Sequence, residues 1–301
     1  MTKETTWTRR DFLRGSAYGA VALALGVPFS KAAQGDEGTT GKLSQAILVR
    51  DLEALDDQGK CNGPIVSRML DDAVSALAGL DDPQAAWKML LRPDDVLGIK
   101  TNVWSHLPTP PTLEEAIRLR AKEVGIPEDR ISIKDRGILK DPVFLGATAL
   151  INIRPLRVHH WSGIGGCIKN YVMFVEEPWA WHEDSCADLG GLWNLPLTKG
   201  KTRLNVLVAL TPQFHGVGPH HFDPQLVWPY RGLLVGTDPV ALDALGVKLL
   251  AEKRKAFFDQ PPRGGTSTKH VQLADTRHGI GTADITKIDL IRIGWMEDAL
   301  I

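Results

Sequence analysis

The chain has 301 residues, with 35 Lys and Arg set against 36 Asp and Glu for a formal charge of −1. That length supports a substantial core in one large domain or two small ones, and the balanced charge lacks the clustered basic face of a nucleic-acid binder. Three scattered cysteines, Cys61, Cys167 and Cys186, are too few for a disulfide framework or for an iron–sulfur cluster held by cysteine alone. In an oxidising compartment they leave room for one bridge, for which Cys167 with Cys186 is one arrangement.

The chain opens on a basic head, Thr8-Arg9-Arg10-Asp11-Phe12-Leu13-Arg14, followed by an apolar run from Ala17 to Val27 and by Pro28-Phe29-Ser30-Lys31-Ala32. A basic head, a short apolar stretch and a small-residue cleavage site in that order mark a targeting segment. The arginine pair before Phe-Leu makes the address twin-arginine in type. The apolar run is well short of the roughly 20 residues a helix needs to cross a bilayer, so no stable transmembrane anchor is expected. Residues 1–32 therefore read as a twin-arginine signal peptide, with the export machinery as partner and the periplasm, or another extracytoplasmic space, as destination. This piece holds five basic residues (Lys3, Arg9, Arg10, Arg14, Lys31) and two acidic ones (Glu4, Asp11), so its removal takes the formal charge from −1 to −4.

Residues 33–42 are small and polar and read as a linker. A single domain is expected over 43–301. Ala46 to Arg50 reads as a first strand, and Pro64 to Ala78 carries apolar residues at helical spacing. Val96 to Asn102 is a short apolar run ending in polar residues, as a buried strand ends at a sheet edge. Thr112 and Glu115 have capping-box spacing ahead of a helical face through Ala116, Leu119 and Val124. Ile131 to Asp135, Ala149 to Ile153, Arg203 to Leu210 and Gly232 to Thr237 repeat the strand pattern, with helical patterns between most of them. Asp238-Pro239 is the clearest helix start, an N-cap followed by proline at the first helical position. Glu176 to Lys201 has no clear period and reads as a loop-rich insertion. Alternating strands and helices predict an α/β fold with a largely parallel or mixed sheet flanked by helices.

In such sheets ligands sit outside the carboxyl ends of strands, a rule that selects Lys100, Asn102, Asp135, Arg154, Thr211, Thr237 and Asp238. The densest constellation is Arg157-Val158-His159-His160-Trp161-Ser162-Gly163-Ile164-Gly165-Gly166-Cys167-Ile168-Lys169-Asn170. Gly163, Gly165 and Gly166 let backbone amides approach a ligand, the next residues read as a helix start that attracts anions, and Lys169 adds a full charge. The glycine-to-lysine spacing is not that of a Walker A loop. A tight turn with packing glycines is the bland alternative.

Six of the nine histidines, His159, His160, His182, His215, His220 and His221, crowd one part of the chain. They raise the possibility of a metal ion or a proton-transfer site, although neighbours on an extended strand face opposite ways, so His159 and His160 should not share an ion. Asp243 lies in an apolar helical turn and needs a partner, for which Lys100 or Lys169 would serve. Trp161, Trp179, Trp181, Trp193 and Trp228 are pocket or core residues.

Four blocks resemble the domain of unknown function 362 family: Val96 to Asn102, Ile151 to Asn170, Gly216-Val217-Gly218-Pro219, and Asp238 to Ala244. Thr101 stands where that family usually has proline, Arg157 near where it tends to have lysine, and the cysteine-rich ferredoxin-like module of many relatives is missing. The resemblance picks out Lys100, Asn102, His159, His160, Lys169, Asn170, Asp238 and Asp243 as site residues. Two functions are open on this reading. One is an exported enzyme in which Lys100, His159, His160, Lys169 and Asp243 act on an anionic or metal-bound small molecule held by Asn102, the three glycines, Asn170 and Asp238. The other is a periplasmic protein that binds such a ligand, or matures a cofactor, without turnover.

Overall fold

The computed structural model describes residues 43–216, 222–260 and 266–301. The expected twin-arginine signal and linker, together with Val217, Gly218, Pro219, His220 and His221, lie outside the described residues. Strands β1 (Ser44–Arg50), β2 (Leu97–Lys100), β3 (Ile131–Lys134), β4 (Ala149–His159), β5 (Gly163–Gly165), β6 (Thr202–Gln213), β7 (Gly232–Gly236) and β8 (Ile288–Gly294) form one sheet. Its order is β3-β2-β4-β6-β7-β1-β8, with β5 folded back on β4. Helices α1 (Gly63–Ala78), α2 (Pro83–Leu90), α3 (Pro111–Val124), α4 (Pro142–Leu145), α5 (Cys167–Asn170), α6 (Pro239–Phe257) and α7 (Lys269–Thr276) surround it.

Strand β4 shows why the sheet is covered on both faces. Ala149, Ile151 and Ile153 enter the apolar core shared with α1, α2 and α3, while Leu150, Leu156 and Val158 enter the core shared with α5, α6 and α7. A strand buried on both faces is apolar almost throughout, which is why β4 reads as a continuous run. Helix ends follow local chemistry. Asp82 caps α2 and Asp238 caps α6 through their side chains, each with proline next, and Gly79 closes α1 in a left-handed conformation at φ 67°.

The sheet is mixed. β2 pairs parallel with β3 and β4, β4 with β6, and β1 with β8, whereas β7 is antiparallel to both β6 and β1. The carboxyl ends of every long strand except β7 therefore share one edge. Thr237 and Asp238, which follow β7, leave the sheet in the opposite direction; Gly236 lies in register with Asn205, Asn152 and Lys100, so they stand three strands across from Lys100, and the Thr237 carbonyl accepts from Asn205 Nδ2 at 3.1 Å.

Several expectations change at the level of elements. β4 runs to His159 rather than ending at Ile153, and β6 runs to Gln213. Arg154 and Thr211 are thus within strands. Helix α3 begins at Pro111 without a side-chain cap, so Thr112 is inside the helix, and its hydroxyl meets Cys61 Sγ at 3.3 Å. The 176–201 stretch is a chain of short turns, including Pro178–His182, Glu183–Cys186 and Leu189–Asn194. All three cysteines are free thiols, so the pairing of Cys167 with Cys186 that the sequence left open is not a bridge here. Among the described residues no helix is long and apolar enough to cross a membrane.

Candidate functional site

Lys100 ends β2 and is 0% exposed, which would be costly for an ammonium without partners. Its Nζ donates to Asp135 Oδ1 at 2.6 Å, to the Thr101 carbonyl at 2.6 Å and to Asn170 Oδ1 at 3.3 Å, so all three donors are used. Burial lowers its pKa to about 8, with Asp135 pulling the other way. Burial alone would raise the Asp135 carboxyl, but Lys100, the Val103 N–H and Arg154 together outweigh it and the net shift is downward. Asp135 Oδ2 also accepts the Val103 N–H at 3.2 Å, which ties down the segment after β2.

Asn170 is the hub. Its Oδ1 accepts from Lys100 and, at 3.0 Å, from Arg154 Nη1; its Nδ2 donates to Asn152 Oδ1 at 2.8 Å, the Ile153 carbonyl at 3.0 Å and the Lys100 carbonyl at 3.3 Å. Asn152 extends the chain to Asn205 Oδ1 at 2.9 Å and to the Cys167 carbonyl at 3.1 Å. Lys100, Asn170 and Arg154 are thereby fixed relative to one another across β2, β4 and α5. Asn102 lies close by, with its amide on Thr109 Oγ1 at 3.2 Å. Its buried Oδ1 has no hydrogen-bond partner among the described residues.

The glycine run holds an anion, but an internal one. Asp243, five residues into α6 and 0% exposed, accepts the Cys167 N–H at 2.6 Å on Oδ1 and the Ile168 N–H at 2.9 Å on Oδ2. The unpaired amides at the start of α5 are satisfied by a carboxylate of the same chain. A Cβ at Gly166 would lie 2.2 Å from Asp243 Oδ1, so only glycine permits the contact. Burial raises the Asp243 carboxyl to about 7, with the two amides and Arg154 opposing the rise. Neither Lys100 nor Lys169 pairs with it, contrary to expectation. Asp238 is likewise internal: it accepts from Val240 N, Ala241 N, Thr282 N and Ser44 Oγ at 2.8–2.9 Å.

The other two glycines shape the cationic part. A Cβ at Gly165 would lie 3.3 Å from both Arg154 Nη2 and Arg157 Cγ, and Gly163, at φ 70°, is packed against the Thr266 carbonyl and Thr268. Arg154 and Arg157 are each 4% exposed and form no ion pair with a described carboxylate. Arg154 Nε, Arg157 Nε and Arg157 Nη1 are buried without hydrogen-bond partners among the described residues. Gln213, opposite Arg157 in the β4–β6 register, has both side-chain polar atoms in the same condition. Trp104 stacks on Arg157, its ring centre 4.3 Å from the guanidinium carbon. Burial, then Arg154, lowers the Arg157 pKa to about 9, which leaves it charged at neutral pH.

Lys169, on α5, is 2% exposed. Its Nζ meets Cys186 Sγ at 3.8 Å. Burial lowers its pKa to about 7; Cys186 opposes the shift, and Arg154 and Arg157 add to it. Cys186 is held there by a backbone with Asp184, Ser185 and Cys186 all left-handed, at φ 47°, 56° and 64°. Three consecutive non-glycine residues in that region are strained and persist only where the surroundings fix them.

The histidines cluster more closely than strand alternation allowed. β4 ends at His159, so His160 leaves the extended path and its ring stacks on that of His159 with centroids 4.8 Å apart. Trp161 and His182 complete the group, their rings 4.5 Å apart. His159 Nδ1 accepts the Trp161 N–H at 3.2 Å, which leaves Nε2 as the protonated nitrogen of a neutral ring. Burial, then Lys169, Arg157 and Arg154, drive the His159 pKa far below its ordinary value. Among the described residues no group of three or more His, Cys, Asp or Glu side chains is placed to hold a metal ion. The fold alone brings His270, on α7, near Lys169. It is fully buried, lacks described partners at both ring nitrogens, and is lowered to about 3 by burial and by the nearby Lys169. A lone histidine 100 residues beyond the constellation carries no spacing signal that could have flagged it.

Lys100, Asn170, Arg154, Arg157, Lys169 and His159 thus gather around α5. Residues 99–248 match the family described as domain of unknown function (DUF362). The matched DUF362 region carries every one of these residues, together with Asn102, Asp238 and Asp243, and it supports the resemblance seen in the four sequence blocks. No curated protein and no solved structure matches the chain.

Proposed function

We propose that the DUF362 region binds a small oxyanion, a carboxylate or phosphate group of an organic molecule, on Arg154, Arg157 and Lys169, and that Lys169 exchanges a proton with it. The observation that carries this reading is the pair of buried guanidiniums with unpaired N–H groups and no described carboxylate within ion-pair distance, Asp135 and Asp243 acting on them only from farther off. Removing a charge from water costs several kcal/mol unless it is paired. A guanidinium edge is shaped to pair with an oxyanion in two parallel hydrogen bonds. The internal carboxylates do not supply that partner, because Asp135 is taken by Lys100 and Asp243 by the α5 amides.

Lys169 has the chemistry of a proton carrier. With a pKa of about 7 it is present as both amine and ammonium at neutral pH, the condition under which general acid–base catalysis is most effective. His159 stays neutral and offers Nε2–H as a hydrogen-bond donor. Lys100 and Asn170 position Arg154, and Asp243 fixes the start of α5 and so the direction of Lys169. A non-catalytic binding role is the second reading, favoured by the complete internal satisfaction of Lys100 and Asp243, two of the five residues expected to be catalytic.

The mature protein acts outside the cytoplasm in this reading, supported by Arg9-Arg10, the apolar run and the small-residue site that follow one another in the sequence. Calorimetric titration with inorganic phosphate and with succinate tests the binding claim. Saturable binding that disappears in Arg157→Met supports it, and equal heats from the variant refute it. Conversion of an extracted native ligand on incubation, followed by mass spectrometry, separates enzyme from binder.

A further inference from the structure

A cleft opens at the carboxyl ends of β1 and β8, apart from the arginine cluster and independent of the function proposed for it. It has a volume of about 330 Å³ and is lined by Arg50, Trp228, Lys253, Trp295, Asp298 and Leu300, among others. That is enough room for a one- or two-ring molecule, at the small end of ligand sites.

The cleft is built around a fixed cation. Arg50 ends β1, is 2% exposed, and has its guanidinium carbon 4.2 Å from the Tyr230 ring centre and 4.1 Å from that of Trp295. Its Nε donates to the Tyr230 carbonyl at 2.9 Å and Nη1 to the Glu297 carbonyl at 2.6 Å. The cross-strand neighbours of Arg50 are glycines for a steric reason. A Cβ at Gly294 would lie 2.2 Å from the Arg50 carbonyl oxygen, and one at Gly232 would lie 2.9 Å from the Tyr230 ring and 3.1 Å from Arg50 Cγ. On the side formed by α6, Lys253 Nζ lies 5.4 Å from the Trp228 ring centre and 5.6 Å from that of Phe214. It has no carboxylate partner among the described residues. Asp298, at φ 50°, and Leu300, at φ 66°, complete the wall in left-handed conformations, which aspartate adopts more readily than leucine.

Two cations therefore face the cleft against the single carboxylate of Asp298, and two indoles supply flat apolar walls. We infer that this cleft binds an aromatic carboxylate, its ring against the Trp228 and Trp295 indoles and its carboxylate on Lys253. Aromatic walls reward a planar ring, and a lysine among aromatic rings is a partly desolvated cation that gains from an anion.

The test is calorimetric titration of the protein with 2-naphthoate and with its neutral counterpart, 2-naphthamide. One-to-one binding of the carboxylate, at least tenfold weaker for the amide and at least tenfold weaker in Lys253→Gln and in Trp228→Leu, is the expected result. Circular dichroism establishes that both variants are folded. The inference is overturned by absence of saturable binding to the parent protein, by equal affinity for the two probes, or by affinity unchanged in both variants. It is also overturned if binding survives Lys253→Gln and vanishes in Arg157→Met, which would put the probe on the other cluster.

Discussion

Arg157 sits beside Arg154 under the Trp104 ring, with Nε and Nη1 unpaired among the described residues, so without an anion the fold carries the cost of a desolvated charge. Arg157→Met keeps most of the aliphatic bulk and removes that cost. We expect the variant to be as stable as the parent or more so, by about 1–3 kcal/mol in urea melts without added anion, and to lose the anion-dependent rise in Tm. A variant destabilised in anion-free buffer would show that the guanidinium has structural partners instead. His270 makes a separate prediction about pH. Its ring has a pKa of about 3 in the fold against an ordinary 6.5, so between those values the unfolded chain binds the extra proton. Stability should therefore fall as the pH drops from about 6.5 to about 3, and His270→Leu should flatten that part of the urea-melt profile. Lys169 acts on the alkaline side. Its pKa of about 7 lies below the ordinary 10.5, so stability should rise between those values, and Lys169→Met should remove that rise. At this scale the sequence exposes Lys100, Asn102, Lys169 and Asn170, because polar residues directly after apolar runs or glycines stand out. The partners are not legible: Asp243 reads as needing a lysine, and only the fold reveals that backbone amides 75 and 76 residues away meet it.

The junction of α5 with α6 is the element that sets the site. Gly166→Ala drives a methyl group into Asp243, and Asp243→Ala leaves the Cys167 and Ile168 amides buried without an acceptor. Each change should cost about 2–3 kcal/mol. Because both destroy the same contact, the double variant should lose well under the sum; full additivity would mean that the two residues act separately. The β2–β3 junction behaves differently. Lys100→Met leaves Asp135 as a half-buried carboxylate without its ammonium and removes two further hydrogen bonds, so a loss of about 3–5 kcal/mol is expected in the same melts. Strand positions are legible in the sequence because each doubly buried strand is an apolar run. Strand lengths are less so: β4 continues through Arg154, Arg157 and His159, whose charges disguise its last third. The direction of β7 is not legible at all, since a five-residue run carries no mark of its orientation.

At the scale of the whole molecule, one mixed sheet with helices on both faces agrees with the α/β reading, and the arginine cluster and the Arg50 cleft share its carboxyl edge. Changing Arg9 and Arg10 to lysine together should trap the protein in the cytoplasm, as cell fractionation would reveal; normal export of that variant would remove the twin-arginine proposal. The position of β1 has its own bearing on how the sheet is completed. The strand that leaves the ribosome first in this domain takes its place between β7 and β8, which are synthesised last. Pairings so far apart in the chain are slow to form, so a nascent chain interrupted before residue 288 cannot seal this margin of the sheet. Under the proposed export of folded protein, β1 therefore keeps an open flank until β8 has been made.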